Sequence, residues 1–206
     1  MSKLRKLVWL ALFCAAPAFA GAQIYEPLSA SVQAAMSKSI SDQAVETRLT
    51  ETPAARSWLT EMSRRLAKRL PDQEYRDDLL ATIYYEASRA GLDPEMVMGL
   101  IEVESGFRKY AVSSVGARGY MQVMPFWVQQ IGTPEQDLFH LRTNLRYGCT
   151  ILRHYLDIEH GDLFRALGRY NGSLGQAGYP DMVLAAWKNH WVRDNDSVGK
   201  QAKAGN

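Results

Sequence analysis

Apolar side chains recur along this chain at the spacing of a helix, and no convincing stretch alternates as a half-buried strand would. Trp58, Met62, Leu66 and Leu70 come every four residues. Met96, Val97, Leu100 and Ile101 form a second stripe. Thr52-Pro53 and Asp93-Pro94 each put a capping side chain before a proline at the first helical position. There the missing proline N–H costs nothing and the fixed φ suits the helix. Gly91 and Gly106 stop two of the runs, as left-handed C-terminal glycines do. The pattern predicts a mainly α fold.

The remaining segments agree. Residues 28–50 are rich in Ala and Ser, with Leu28, Val32, Met36 and Ile40 on one face, a weakly amphipathic and loosely held helical arm. Leu79, Leu80, Ile83 and Tyr84 mark the helix that Gly91 ends. Short helical stretches begin near Pro125 and Thr143, and Asp162 caps another that runs to about Tyr170. Residues 172–178 hold three glycines and read as loop; a last helix starts near Pro180 and presents Val183, Trp187 and Trp191. A short β-hairpin fits only within the 107–123 loop.

The N-terminus has the layout of a secretory signal peptide. Lys3, Arg5 and Lys6 precede an apolar run from Leu7 to about Cys14, and Ala18-Phe19-Ala20 supplies small residues at a cleavage site. The run is too short to anchor in a bilayer, which takes about 20 residues. The alternatives are a buried N-terminal helix, or a lipoprotein signal cut before Cys14, where Phe13 is a poor fit. Export with cleavage after Ala20 predicts a periplasmic protein. Cleavage removes three basic residues, leaving 21 against 22 acidic ones, so net charge moves from +2 to −1. A near-neutral chain gives no bulk basic character to suggest nucleic acid, and a charged substrate must be recognised locally.

The same arithmetic leaves Cys149 alone, in the helical pattern Leu145, Cys149, Leu152, Leu156, where it reads as a small buried hydrophobe. None of His140, His154, His160 and His190 pairs with another at ligand spacing, so neither metal nor other cofactor is expected. About 185 residues remain, enough for one domain with a sizeable core.

Chemistry concentrates in residues 104–125. Glu104 stands at the C-terminal end of an apolar helix, just before Gly106 and a loop with Ser113, Ser114, Gly116, Gly119 and a Met121-Gln122 pair. Apolar neighbours would desolvate the carboxyl, and the negative end of the helix dipole disfavours its charge. A carboxylic acid kept neutral at pH 7 can protonate a leaving oxygen. Glu102 is equally acidic. Two residues turn a helix by about 200°, so Glu102 and Glu104 face nearly opposite ways and cannot work as a pair. Periodicity leaves open which of them faces a cleft.

Segment 104–125 resembles the signature of the lytic transglycosylases of the soluble, goose-type-lysozyme-like (SLT domain) family. Glu104, Ser105, Phe107, Ala111, Ser113, Gly116, Ala117, Gly119, Met121, Gln122, Met124 and Pro125 match its pattern, and Tyr120 stands where Leu is usual. Asn144, Tyr147, Gly148 and Leu152 resemble its second motif. Tyr170-Asn171-Gly172 resembles its third, usually Ala-Tyr-Asn-Ala-Gly, with Arg169 in place of the first Ala and Gly172-Ser173 in place of Ala-Gly. The resemblance covers roughly residues 76–191.

It implies a lysozyme-like helical domain with a saccharide cleft. The substrate would be bacterial peptidoglycan, cut between N-acetylmuramic acid and N-acetylglucosamine to leave 1,6-anhydromuramoyl ends. Glu104 would act as acid and then base. Ser113 would orient the Glu104 carboxyl or the substrate acetamido group, with a turn residue as the equal alternative. Met121 and Gln122 would line the sugar subsites, although Met121 reads equally as a core contact. Tyr170 would hydrogen-bond near Glu104 and hold it, and Asn171 would shape the same wall. The organisation implied is a signal peptide over 1–20, an N-terminal helical extension over 21–75, a catalytic domain over 76–193 and a flexible tail over 194–206. The chain is expected to be a monomer, with 21–75 as a candidate surface for a cell-wall or secretion-machinery partner. A water-using muramidase and a non-catalytic wall-binding scaffold are the other readings.

Overall fold

The computed structural model describes residues 23–41 and 52–193, so the expected signal segment 1–20 and tail 194–206 lie outside the described residues. The mainly α expectation holds. Helices α1 (Ala30–Ile40), α2 (Pro53–Leu66), α3 (Gln73–Arg89) and α4 (Pro94–Ser105) are followed by α5 (Phe126–Ile131), α6 (Leu141–Ile158), α7 (Leu163–Tyr170) and α8 (Gly178–Ala186). A π-helical turn, Trp187–Trp191, closes the described chain.

The caps form as the residue types dictate. Thr52 accepts from Ala55 N–H, Asp93 from Glu95 and Met96, and Asp162 from Arg165, so each side chain takes an otherwise orphaned amide. Gly91 and Gly106 adopt positive φ after α3 and α4.

Two helices carry the core. All residues from Met96 to Ile101 of α4 are buried, which is why its apolar pattern is continuous. α4 packs against α8 and the π turn, and Gly99 makes that possible: a Cβ there would lie 2.8 Å from Trp187 N. α6 is strongly amphipathic and takes α1, α3 and α7 on its faces. α1 and α2 are not loosely attached where they are described. Met36, Ile40, Trp58, Met62 and Leu66 join the same apolar cluster as α4 and α6. The repeat in α2 ends one turn earlier than its spacing implies, since α2 stops at Leu66 and Leu70 lies beyond it.

The 107–123 loop forms no strand among the described residues. Two isolated antiparallel bridges, Val112 with Arg118 and Arg118 with Val123, stand in the one stretch that left room for a short hairpin. Asn144 of α6 holds this loop instead. Its Oδ1 accepts from Met121 N at 2.9 Å, and its Nδ2 donates to Arg118 O and Leu138 O, both at 2.8 Å. Gly119 has to be glycine: its φ is +75°, and a Cβ would sit 2.4 Å from Asn144 Nδ2.

One buried ion pair ties α3 to α6. Arg146 Nη2 lies 2.9 Å from Glu86 Oε1, and both side chains are buried; Arg146 Nη1 also donates to Ser41 O after α1. Removing one member of such a pair strands a buried charge and costs about 3–5 kcal/mol. Arg146→Met should therefore lower unfolding free energy towards the lower end of that range, since Arg89 remains 3.6 Å from Glu86. Urea unfolding measures this, and a loss under about 1 kcal/mol would mean that Glu86 is solvated rather than buried.

Candidate active site

Glu104 lies in the last turn of α4, where the helix ends at Gly106 with φ +58° and the Gly106 N–H donates to Glu102 O. The next residue, Phe107, also has positive φ (+65°), unusual for a bulky side chain, and so does Gln122 (+47°). Phe107 is buried and stacks edge-on against Trp191, with ring centroids 5.4 Å apart. Strained backbone of this kind persists only where surrounding packing enforces it, and it clusters at functional sites.

Glu104 is half-buried as a residue, with its carboxyl turned to the protein side against Tyr179. Burial pushes its pKa up to about 8, against a smaller opposing effect of one hydrogen bond. That bond comes from the Tyr179 hydroxyl, which donates to Oε1 at 2.5 Å. Tyr179 sits in the first turn of α8 and is itself buried; burial and the nearby Glu104 charge keep its own pKa well above the ordinary tyrosine value. Tyr179 thus stays a donor throughout the working range.

Glu102 faces away, as the helical turn requires. It is paired with Arg69, lies 2.9 Å from His190 Nδ1 and accepts from Trp191 Nε1 at 2.7 Å. Burial works against its charge, but the hydrogen bonds from His190, Arg69 and Trp191 together hold its pKa below the usual carboxylate value. Two acids two residues apart are thus driven in opposite directions, one towards neutrality and one towards permanent charge.

The other expected site residues are distributed differently from the reading above. Tyr170 does not bond to Glu104; its buried hydroxyl donates to Met121 O at 2.7 Å. Tyr170 leaves α7 at its last residue and points into the core beneath the loop, whereas Tyr179 enters from α8, the helix that packs on α4. Met121 does not line a surface. Its side chain is fully buried against α6, where a Cβ on Gly148 would lie 2.3 Å from its sulfur. Gln122 is likewise turned inward: its Nε2 donates to Gly119 O at 2.9 Å and Ala111 O at 3.2 Å, which fixes the loop. Ser113 closes the 113–117 turn, with its Oγ accepting from Ala117 N–H at 3.0 Å. Asn171 caps α7 and donates to Ser173 Oγ at 3.1 Å.

Sequence reasoning missed Tyr179. An aromatic in the first turn of a helix reads as core, and burial alone cannot distinguish that from a buried donor. The three glycines before it, which free the chain to turn back over α4, were the available hint. Ser105 was also undervalued. Its Oγ donates to Tyr120 O at 2.8 Å and so connects the residue after Glu104 to the loop. Cys149 is buried and its thiol pKa is raised by burial, so it remains a packing group. Among the described residues no cluster of His, Cys, Asp and Glu could hold a metal.

The chain is similar to several known proteins. The transglycosylase SLT domain family matches residues 81–179, a span that holds Glu104, the loop, α6, α7 and Tyr179. A transglycosylase of Enterobacteria phage PRD1 is 34% identical over 98 residues, covering 48% of this chain and 36% of the phage protein. Membrane-bound lytic murein transglycosylase C of Actinobacillus pleuropneumoniae serotype 5b (strain L20) is 51% identical over 39 residues, 19% of this chain and 11% of that protein. Among solved structures, an inactive mutant of lytic transglycosylase Slt from Pseudomonas aeruginosa aligns at a TM-score of 0.43 and 24% identity, over 68% of this chain and 26% of that one. Residues 81–179, just under half of the chain, thus resemble a transglycosylase SLT domain. The chain spans only about a third of the phage relative and about a tenth of the murein transglycosylase.

The Tyr179–Glu104 bond has a testable consequence. It favours the charged carboxylate, so Tyr179→Phe should raise the Glu104 pKa above its present value of about 8. The alkaline limb of any Glu104-dependent activity should move to higher pH. Turnover should fall more than tenfold, because the carboxyl loses the hydrogen bond that anchors it among the described residues. A pH–rate profile that is unchanged in both limb and height would remove Tyr179 from the site.

Proposed function

We propose that this chain is a peptidoglycan lytic transglycosylase that cleaves the glycan between N-acetylmuramic acid and N-acetylglucosamine. The observation that carries the proposal is the Glu104 carboxyl, held near neutrality at pH 7 by burial rather than by a second carboxylate. A protonated Glu104 delivers its proton to the glycosidic oxygen as the C1–O bond breaks. The resulting carboxylate, steadied by Tyr179, then takes the proton of the muramoyl C6 hydroxyl as that oxygen bonds to C1. The product carries a 1,6-anhydro ring, no water is consumed, and Glu104 ends protonated as it began. An ordinary glycosidase needs a pair of carboxyl groups about 5–9.5 Å apart. Glu102 cannot be the partner, because it is turned to the opposite face and engaged by Arg69, His190 and Trp191. The SLT family match and the names of the relatives support the same reading. Digestion of purified sacculi followed by mass spectrometry tests it: anhydromuramoyl ends are expected, and reducing ends would instead indicate a muramidase.

Glu104→Gln should lower turnover at least 10²-fold, the usual worth of a positioned acid–base group. The same substitution should stabilise the fold at neutral pH. In the folded protein Glu104 keeps its proton to about pH 8, while in the unfolded chain it ionises near 4.5. The folded state therefore binds the extra proton, and wild-type stability falls as pH rises between those values. The melting temperature of Glu104→Gln should exceed that of wild type at pH 7 and match it below pH 4. Equal melting temperatures at both pH values would show that the Glu104 carboxyl is not desolvated.

The site acts on an envelope polymer, and the N-terminal sequence has the order of an export signal. We place the protein in the periplasm, with the mature chain starting at Gly21 and carrying no lipid. N-terminal sequencing of the cell-derived protein should read from Gly21; an acylated Cys14 or a retained Met1 would refute this.

A further inference from the structure

Ahead of α1 the chain runs extended from Gln23 to Ser29, outside the SLT match, and its first residues lie against the loop that follows Glu104. Gln23 is buried although it is polar and stands at the edge of the described chain. Its Oε1 accepts from Met124 N–H at 3.1 Å, and its Nε2 approaches Gln122 O at 3.4 Å. The side chain thus pairs with main-chain groups on both sides of Val123, as a neighbouring strand would. It also lies beside the Tyr170 hydroxyl.

The segment is fastened further along. Gln130 Nε2 donates to Glu26 O at 2.8 Å, and Gln33 Nε2 donates to Gln130 O at 2.6 Å. The Tyr25 ring meets Phe126 edge-on at 5.5 Å. Arg169 reaches Glu26 at 3.9 Å while paired with Glu159. Arg169 is one place where this chain departs from the motifs it resembles. Tyr120 is another, and its hydroxyl bonds to that of Tyr75, just before the SLT match. These two departures contact residues on the N-terminal side of the matched span, whereas the third, Gly172-Ser173, stays within the turn after α7.

We propose that the Gln23–Glu26 strap is a built-in positioning element of the active site, with Gln23 as the residue that holds the Tyr120–Met124 wall in register with Glu104. The route is short. The wall is joined to Ser105, next to Glu104, through the Ser105 Oγ bond to Tyr120 O, and to Tyr170 through Met121 O. Gln23 fixes the far end of the same wall at Gln122 and Met124. The strap acts through these groups and does not itself touch the reacting carboxyl. The catalytic part of this proposal rests on the reading of Glu104 given above.

The test uses the full-length protein with Gln23→Met, which keeps side-chain volume and removes both polar contacts. Hydrogen exchange of the Met124 amide reads the strap directly and does not depend on activity; it should speed up at least tenfold. On sacculi kcat should fall about tenfold, KM should stay within twofold, and the melting temperature should change little. Unchanged exchange would overturn the strap. Faster exchange with wild-type kcat would overturn the positioning role. If wild-type protein does not cleave sacculi, the functional reading fails and exchange alone judges the strap. Should Gln23→Met lose helix content, Glu26→Ala, which frees the strap from Arg169, must speed Met124 exchange or the proposal is wrong.

Discussion

The structure is organised around the burial of one carboxyl group. Glu104 is carried to the edge of the core by α4, the helix whose Met96–Ile101 segment is buried all round. The last turn, Glu102 to Glu104, emerges only partly from that packing, so the Glu104 carboxyl is largely desolvated where Tyr179 meets it. That desolvation raises its pKa to about 8. The close approach of the π turn at Gly99 and the seat of α8 over α4 place Tyr179 against it. A burial that is unfavourable for a carboxylate is offset by the packing of the whole domain, and it yields an acid that can give up a proton at neutral pH.

A second layer keeps the facing loop in place without regular secondary structure. Its main chain is held by a few bonds of its own and by side chains: Asn144 on Arg118 and Met121, Ser105 on Tyr120, Tyr170 on Met121, and Gln122 on Ala111 and Gly119. Buried backbone groups must find partners, and here polar side chains supply many of those that a full sheet ladder would. The residues that resemble the family signature therefore serve mainly as scaffold. Met121 packs, Gln122 and Asn144 bind main chain, and Glu104 is the group to which the chemistry is here proposed to fall.

Much of this was legible in the sequence for identifiable reasons. Cap-plus-proline starts at Thr52 and Asp93 and the stop glycines at 91 and 106 act locally, so helix limits followed from residue types. The opposed faces of Glu102 and Glu104 followed from helix geometry alone. What was not legible depends on tertiary direction. Tyr170 and Tyr179 are both buried tyrosines near a helix end, and only the packing of α7 and α8 decides which hydroxyl meets Glu104. Met121 and Gln122 lie in a glycine-rich stretch that reads as exposed loop. Whether they face a cleft or the protein depends on Asn144 and Gly148, more than 20 residues away in sequence. Gln23 lay outside every motif and was not visible at all.

The central claim is that Glu104 holds its proton at neutral pH because the fold buries it. Carbon-detected NMR titration of the glutamate side-chain carboxyls, with the Glu104 resonance assigned by comparison with Glu104→Gln, measures this in the free protein. A midpoint near 8 is the result this account predicts. A midpoint near the ordinary value of 4.5 would contradict it, since Glu104 would then be ionised at pH 7 and could not serve as the acid.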